Sequence, residues 1–239
     1  MTRAQRLFVT AIGAVIVCAI TSSAAFAAGF LGPGHSSSEF ADASAAWFPD
    51  ATNLNFVDLS VSRNEFVFRP TQNSGGTVLM QHATLLFVTI EGSAVAGSEC
   101  FMIPDSDFVV GSGVQSASLH ATVNATDRCQ GLPQSRSDVA AGKPGGPPPV
   151  PGIQFPLTVS ATWSANGTIA TFNNSGRATC GSFAMESHSS VSAARGTATG
   201  SVSMPGLTVS PSPTDQASVD KGTIVSDIQG SLSPACFGV

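Results

Sequence analysis

Apolar and polar side chains alternate with a period of two over much of the chain. Leu59 and Val61 alternate with polar neighbours, and Phe66 and Phe68 do the same a few residues later, with Glu65 on the opposite face. This period is typical of β-strands that bury one face. We find no segment with the 3.6-residue period of an amphipathic helix. The pattern therefore predicts a protein built from strands.

The same kind of pattern marks the rest of the chain. Residues 78–90 are apolar on both faces and rich in β-branched side chains, which predicts one long central strand buried on both faces, or two parts of a bulged strand. Asn166-Gly167 separates two strand-like segments and is a strong signal for a type I′ hairpin turn. Further strands are predicted at 100–103, 117–123, 157–163, 179–185, 191–204 and 223–228. About ten strands without helices predict an all-β fold, an antiparallel β-sandwich or barrel.

The first 27 residues have the features of a cleaved signal peptide. Arg3 and Arg6 precede an uncharged stretch that ends in Ala25-Phe26-Ala27, the small-x-small form cut by signal peptidases. The alternative is a retained membrane anchor through residues 7–28, because no charge occurs between Arg6 and Glu39. We expect a secreted protein with no stable membrane span after cleavage.

The remaining chain divides by composition. Residues 28–52 show no period and are expected to form a flexible leader, in which Trp47 is a candidate surface contact. Residues 53–239 are expected to form the β domain. A Pro/Gly-rich loop at 142–152 interrupts it, so two subdomains, 53–130 and 153–239, are an alternative to one. Within the strands, Trp163 shares a face with apolar residues and is expected in the core.

Cysteine usage fits export. Cys18 leaves with the signal peptide, so four cysteines remain, an even number that predicts two disulfides. We favour Cys100 with Cys129 and Cys180 with Cys236, since each pair stays on one side of the Pro-rich loop. No two cysteines are spaced as zinc ligands, and no metal site or cofactor is predicted.

Charge is scarce and excludes one class of partner. Charged residues make up 10% of the chain, against about 25% in ordinary soluble domains. The net charge is −5, and the ten Lys and Arg residues are scattered rather than clustered. Nucleic-acid binding needs clustered basic side chains, so a nucleic-acid partner is not expected.

Candidate catalytic or metal-ligating residues are few and isolated. His82, His120 and His188 lie on separate predicted strands, where solvated or satisfied imidazoles are the ordinary interpretation. Asp105 and Asp107 could offer oxygens to Ca²⁺, but such a site needs six to eight oxygens and only Glu99 is nearby, so an Asx-type turn that caps a strand end is the ordinary interpretation. The common nucleophile, phosphate-loop and zinc-protease motifs do not occur.

These observations favour a non-catalytic protein with a binding or structural role at or outside the cell surface. Its partner would be an unknown extracellular or envelope component. The alternative is an extracellular hydrolase with an Asp/Glu/His site that cannot be identified from sequence. A third hypothesis is self-association, for which residues 191–204, built mostly of small side chains, are expected to supply an open sheet edge.

Overall fold

The computed structural model describes residues 33–48, 54–71, 77–129 and 151–230, except for the side chains of residues 54 and 55. These residues form one antiparallel sheet of eleven strands, which confirms the predicted all-β fold. The strands are β1 (Gly34–Trp47), β2 (Leu54–Pro70), β3 (Leu79–Gly92), β4 (Gly97–Ile103), β5 (Phe108–Val110), β6 (Ser116–Val123), β7 (Leu157–Ala165), β8 (Ala170–Cys180), β9 (Phe183–Met204), β10 (Leu207–Val209) and β11 (Thr214–Gln229).

The order of the strands makes the sheet curl. The order is β4-β3-β2-β1-β11-β9-β7-β6-β5, and β8 and β10 each pair with β9. β4 and β5 stand at opposite ends of this order, yet only residues 104–107 connect them in the chain. Four extended residues span at most about 14 Å, so the two ends of the sheet lie close together. The sheet is a curled half-barrel.

A disulfide and a short bridge join the two ends of the sheet. Cys100 on β4 is disulfide-bonded to Cys129, which follows β6, as predicted. The N–H of Cys129 donates to the carbonyl of Cys100 at 2.9 Å. Arg128 pairs with Phe101 in an isolated β-bridge and with Glu99 in an ion pair of 2.9 Å. The second predicted disulfide involves Cys236, which lies outside the described residues.

The main hydrophobic core lies inside the curl. It draws on strands from both sides of the Pro/Gly-rich loop, so the described residues within 54–129 and those of 151–230 share one core. Trp47 and Trp163 are its largest side chains, exposed by 2% and 1%. The indole N–H of Trp163 donates to the carbonyl of Ser44 at 2.8 Å. Trp163 is thus buried as predicted, whereas the prediction of a surface role for Trp47 is wrong.

The long strands change their buried face part-way along. In β1, Ala41, Ala43 and Ala45 face the main core, whereas Gly34 and Ser36 are buried on the opposite face. On that opposite face, Phe68, Phe183 and Ile228 form a second, smaller hydrophobic cluster. The change occurs at the level of Phe40, whose direct partner across the strands is Gly222. One continuous sheet therefore has two apolar clusters, one on each side.

Gly222 makes the close packing at this level possible. A Cβ on Gly222 would lie 2.6 Å from Cζ of Phe40 and 2.7 Å from the carbonyl oxygen of Ser190. Only glycine leaves room for an aromatic ring this close to a neighbouring strand. The packing between β1 and β11 at this level therefore depends on a residue without a side chain.

The predicted flexible leader is wrong where the structure describes it. Residues 34–47 of the 28–52 segment form β1, which pairs with both β2 and β11. The segment contains many Gly, Ser and Ala residues, and its apolar residues are buried on different faces in its two halves. Because the buried face changes within β1, no single two-residue period runs through the segment. Its backbone nevertheless pairs with β2 and β11 along most of its length.

The predicted hairpin at Asn166-Gly167 is also wrong. β7 and β8 do not pair with each other; both run antiparallel to β9, one after the other. The N–H of Asn166 donates to the carbonyl of Arg195 at 3.2 Å, which keeps this segment beside β9. The reversal occurs instead after β8, where Gly181 has a φ of +59° and divides the strand predicted at 179–185.

Two other predictions on strands have different outcomes. The strand predicted at 78–90 is present as β3, but it is buried on one face only, at Thr84, Leu86, Val88 and Ile90, so the prediction of burial on both faces is wrong. Residues 191–204 belong to β9, which pairs with β11 and β10 on one side and with β7 and β8 on the other. The expectation that 191–204 form an open sheet edge is therefore wrong. In the part of the chain that the structure describes, no helix is long and apolar enough to cross a membrane.

Candidate functional site

The concave face continues beyond the core as a polar surface. On the last rung of the core, Arg63 on β2 lies opposite Thr84 on β3 and opposite Ala41 on β1. Ala41 in turn lies opposite Lys221 on β11. Because directly paired residues of antiparallel strands share a face, these side chains stand on the same side of the sheet as the core.

The next rung carries three more polar side chains. Glu65 on β2 lies opposite His82 on β3 and opposite Glu39 on β1. Together with Arg63 and Lys221, these residues line an open groove of about 230 Å³. The complete lining is Glu39, Phe40, Ala41, Arg63, Glu65, His82, Asp105 and Lys221.

The connection between the two ends of the sheet supplies the carboxylate at the rim of this groove. Asp105 begins a short 3-10 turn, Asp105–Asp107, between β4 and β5. Its Oδ2 lies 2.5 Å from Nε2 of His82, and its Oδ1 accepts a hydrogen bond of 2.5 Å from the hydroxyl of Thr84. One guanidinium nitrogen of Arg63 lies 3.5 Å from the carbonyl oxygen of Phe108. The contacts that line the groove therefore link β2 and β3 to the β4–β5 connection and to the start of β5.

These contacts fix the charge of Asp105 and the orientation of His82. The hydrogen bond from Thr84 is the main reason why the pKa of Asp105 is lowered, and His82 and Arg63 add to the effect. An ionised carboxylate only accepts hydrogen bonds, so Nε2 of His82 is the donor. In the neutral ring, Nδ1 is then the acceptor nitrogen. This pairing resembles the carboxylate–histidine arrangement that orients an imidazole in many binding and catalytic sites.

Two carboxylates face each other in the groove. Glu39 and Glu65 are direct partners across β1 and β2, and like charges in this position destabilise a sheet. The cationic side chains of Arg63 and Lys221 stand on the adjacent rung of the same face and reduce this repulsion. A destabilising pair retained in a chain with so few charges is typical of a functional site rather than of a structural one.

A separate carboxyl cluster lies on the opposite face of the sheet. Asp42 and Asp220 are direct partners across β1 and β11. Burial raises the pKa of Asp42 to about 6, although hydrogen bonds with Ser62 and Asp220 oppose the shift. Burial, and then the charge of Asp42, raise the pKa of Asp220 to about 7. Burial also raises the pKa of Asp58 to about 6.

Of the residues singled out from the sequence, the groove brings together only two, His82 and Asp105. His120 is exposed on β6, and His188 lies on β9, 3.8 Å from Glu186. His35, in the predicted leader, contacts Asp227 on β11 at 2.9 Å. In the described ranges, no three His, Cys, Asp or Glu side chains are placed to hold a metal ion.

Glu39, Arg63, Glu65 and Lys221 were not predicted as site residues. The residues next to each of them in the sequence form no recognisable motif. Only the pairing of β1 with β2 and β11 brings the four side chains together. One signal in the sequence was available. Charged residues replace apolar ones at 63 and 65, on the face where Leu59 and Val61 are buried.

Comparison with known proteins gives no assignment. No protein-family model matches the chain, and no curated protein matches it in sequence.

Proposed function

We propose that this chain is an exported, non-catalytic β-protein that binds a small, hydroxyl-rich polar ligand in the groove. The main support is the concentration of charge. The sequence is only 10% charged, yet Glu39, Arg63, Glu65, His82, Asp105 and Lys221 all line one groove of about 230 Å³. A scaffold that uses so few charges elsewhere has little structural need to place six titratable groups together.

The size and polarity of the groove indicate the class of ligand. Pockets for drug-sized ligands have volumes of about 300–1,000 Å³, so this groove suits one small unit or the end of a longer polar chain. It offers both acceptors, in its carboxylates, and donors, in Arg63 and Lys221. A ligand hydroxyl can donate to the carboxylates and accept from the cationic side chains, so it can pair with both kinds of group. Three carboxylates against two permanent cations favour a ligand that also carries an amino group.

Export rests on the sequence features at the start of the chain and on the cysteines. We propose that residues 1–27 are a cleaved signal peptide, which lies outside the described residues, and that Cys180 pairs with Cys236 as a second disulfide. The Cys100–Cys129 disulfide supports an oxidising compartment, where such bonds persist. The partner would then be an extracellular or envelope component.

Three sugars that share one ring but differ in charge test the proposal. We expect glucosamine to shift the backbone amide resonances of the groove strands with a dissociation constant in the millimolar range. Glucose should bind more weakly and glucuronate most weakly, because the groove has one more carboxylate than permanent cations. Glu65→Gln should weaken glucosamine binding at least fivefold.

Glu91→Gln is the matched control, because Glu91 is an exposed carboxylate on β3 outside the groove. It should leave the affinity unchanged. If none of the three sugars shifts resonances of the groove residues, or if both variants have the same effect, groove binding of this ligand class is refuted.

The alternative function is an extracellular hydrolase, and the facing carboxylates favour it over other enzyme classes. Glycoside hydrolysis uses two carboxyl groups, one on each side of the bond that is cleaved. Glu39 and Glu65 supply such a pair on one face. Under this alternative, 4-nitrophenyl glycosides are hydrolysed, and Glu39→Gln and Glu65→Gln each abolish turnover while retaining binding. Absence of hydrolysis by a protein that binds glucosamine would exclude it.

A further inference from the structure

β8 is a long strand with one open edge. Its residues pair with β9 from Ala170↔Ala193 to Cys180↔Phe183, and residues 170–179 are all exposed. Nothing among the described residues pairs with its other edge. The edge of a strand presents a row of backbone N–H and C=O groups that another strand can satisfy.

The other edges of the sheet are short or covered. β5 and β10 have three residues each. β4 is joined at its edge to Arg128 and Cys129 by a β-bridge and a disulfide. β8, in contrast, has eleven residues, no proline and one charged side chain, Arg177. Natural sheet edges are usually protected by charges, prolines or bulges, and β8 has almost none of these devices.

The sequence of β8 is complementary to itself. We propose that β8 pairs antiparallel with β8 of a second copy of this chain, about a two-fold axis at Asn174. In this register Asn174 lies opposite Asn174 of the second copy, and Phe172 lies opposite Gly176 of the second copy. Two-fold dimers, in which both copies use the same surface, are the commonest homo-oligomers of soluble proteins.

The Phe172–Gly176 pair sets the register. Phe172 is 60% exposed in the single chain, an unusual position for a large apolar side chain on a strand. Within the sheet, Phe40 is the direct partner of Gly222 on the neighbouring strand and packs closely against it. Pairing at Asn174 gives Phe172 the same kind of partner, whereas pairing at Ser175 places it opposite an alanine.

Charge permits this contact between two copies of an acidic protein. The whole chain has a net charge of −5, but β8 carries no acidic residue. Arg177 lies beside Glu186 on β9, so the edge is locally neutral. In the proposed register the two Arg177 side chains are six residues apart along the strands, about 20 Å, and do not repel each other strongly. The contact is small, so the dimer is a weak one with a micromolar dissociation constant.

Single cysteine variants of the full chain test the register. Asn174→Cys is expected to form a disulfide-linked dimer under mild oxidation, because its two copies are direct partners and within disulfide reach. Thr171→Cys alone should not crosslink, since its copies lie about 20 Å apart. Mixing Thr171→Cys with Arg177→Cys should crosslink, because residues 171 and 177 are opposite each other. Faster crosslinking of Ser175→Cys than of Asn174→Cys would overturn the register.

A second measurement does not depend on cysteines. Asn174→Lys places two ammonium groups at the two-fold axis and should raise the dimer dissociation constant at least tenfold in sedimentation equilibrium, whereas Asn174→Gln should not. Ser210→Lys, an exposed site outside β8, is the charge-matched control. A wild-type chain that stays monomeric at millimolar concentration refutes the proposal, whether β8 is then free or pairs with a segment of another protein.

Discussion

The facing carboxyls of Asp42 and Asp220 make stability depend on pH. Their pKa values of about 6 and about 7 in the folded protein exceed the value of 3.8 expected in the unfolded chain. Between about pH 4 and pH 7 the folded state therefore binds more protons than the unfolded state. The free energy of unfolding falls as pH rises through this range, and the stabilisation by protonation is lost above about pH 7.

Asp220→Asn should remove much of this dependence. The amide resembles the protonated acid, carries no charge and can donate a hydrogen bond to Asp42. We expect the variant to match the wild type near pH 4 and to be more stable at pH 8 by about 2 kcal/mol, from the shift in pKa reduced for partial exposure. Urea unfolding at several pH values measures this.

Asp215→Asn provides the comparison, because Asp215 is an exposed residue of the same strand. It should leave the difference in stability between pH 4 and pH 8 as in the wild type. Equal slopes of stability against pH in Asp220→Asn and the wild type would contradict the expectation.

At the scale of single elements, β1 and β11 depend on the absence of a side chain at Gly222. A methyl group there meets Cζ of Phe40 and the backbone oxygen of Ser190, both within 2.7 Å. We expect Gly222→Ala to destabilise the protein by about 2 to 3 kcal/mol, because a backbone atom cannot move aside cheaply. Gly167→Ala is the control, since no atom lies within 4 Å of its added Cβ. Thermal unfolding that shows equal losses in both variants would show that the close packing at Gly222 is unimportant.

The sequence predicted strands well where one face stays buried throughout. β6 and β7 keep a strict alternation, and both were predicted nearly to their ends. In β2 the buried positions change from Leu59 and Val61 to Phe68, so the period shifts phase within one strand. The shift from odd-numbered to even-numbered apolar positions is visible in the sequence. Without the pairing of β2 with β1 and β3, however, the sequence does not show that each set packs on a different side of one sheet.

Turns and the groove were harder to predict, for a common reason. Asn166-Gly167 has a strong local preference for a hairpin, but pairing of its flanking strands with β9 overrides that preference. The groove likewise depends on the pairing of β1 with two strands far apart in the chain. Of its titratable residues, only His82 and Asp105 are candidates from the sequence. Strand pairing alone brings in the other four, which are Glu39, Arg63, Glu65 and Lys221.

At the scale of the whole molecule, one disulfide holds the ends of the sheet together. Cys100 lies on β4, at one end of the strand order, and Cys129, 29 residues later, follows β6, the strand next to the other end. Replacing both with alanine should lower the free energy of unfolding by about 3.5 kcal/mol, as expected for a loop of this length. The Glu99–Arg128 ion pair and the backbone bridge remain, so the variant should still unfold in one cooperative transition.

Urea unfolding followed by tryptophan fluorescence measures this effect, because Trp47 and Trp163 both lie in the core. A double variant with the midpoint of the oxidised wild type would show that the disulfide does not hold the sheet closed. Reduced wild-type protein should resemble the variant, apart from any contribution of the other cysteines.

The position of β1 between β2 and β11 has a consequence for synthesis. β1 begins at Gly34 and obtains its second neighbour only from residues 217–228 of β11, far from it in sequence. Until those residues leave the ribosome, neither β1 nor β9 has its full set of strand partners, and the curled sheet cannot form. Pairings this distant in sequence make folding slow, on the order of milliseconds to seconds once the chain is complete. In a nascent chain, β1 and β9 therefore stay incompletely paired until β11 has been made, and the curled sheet forms only after that point.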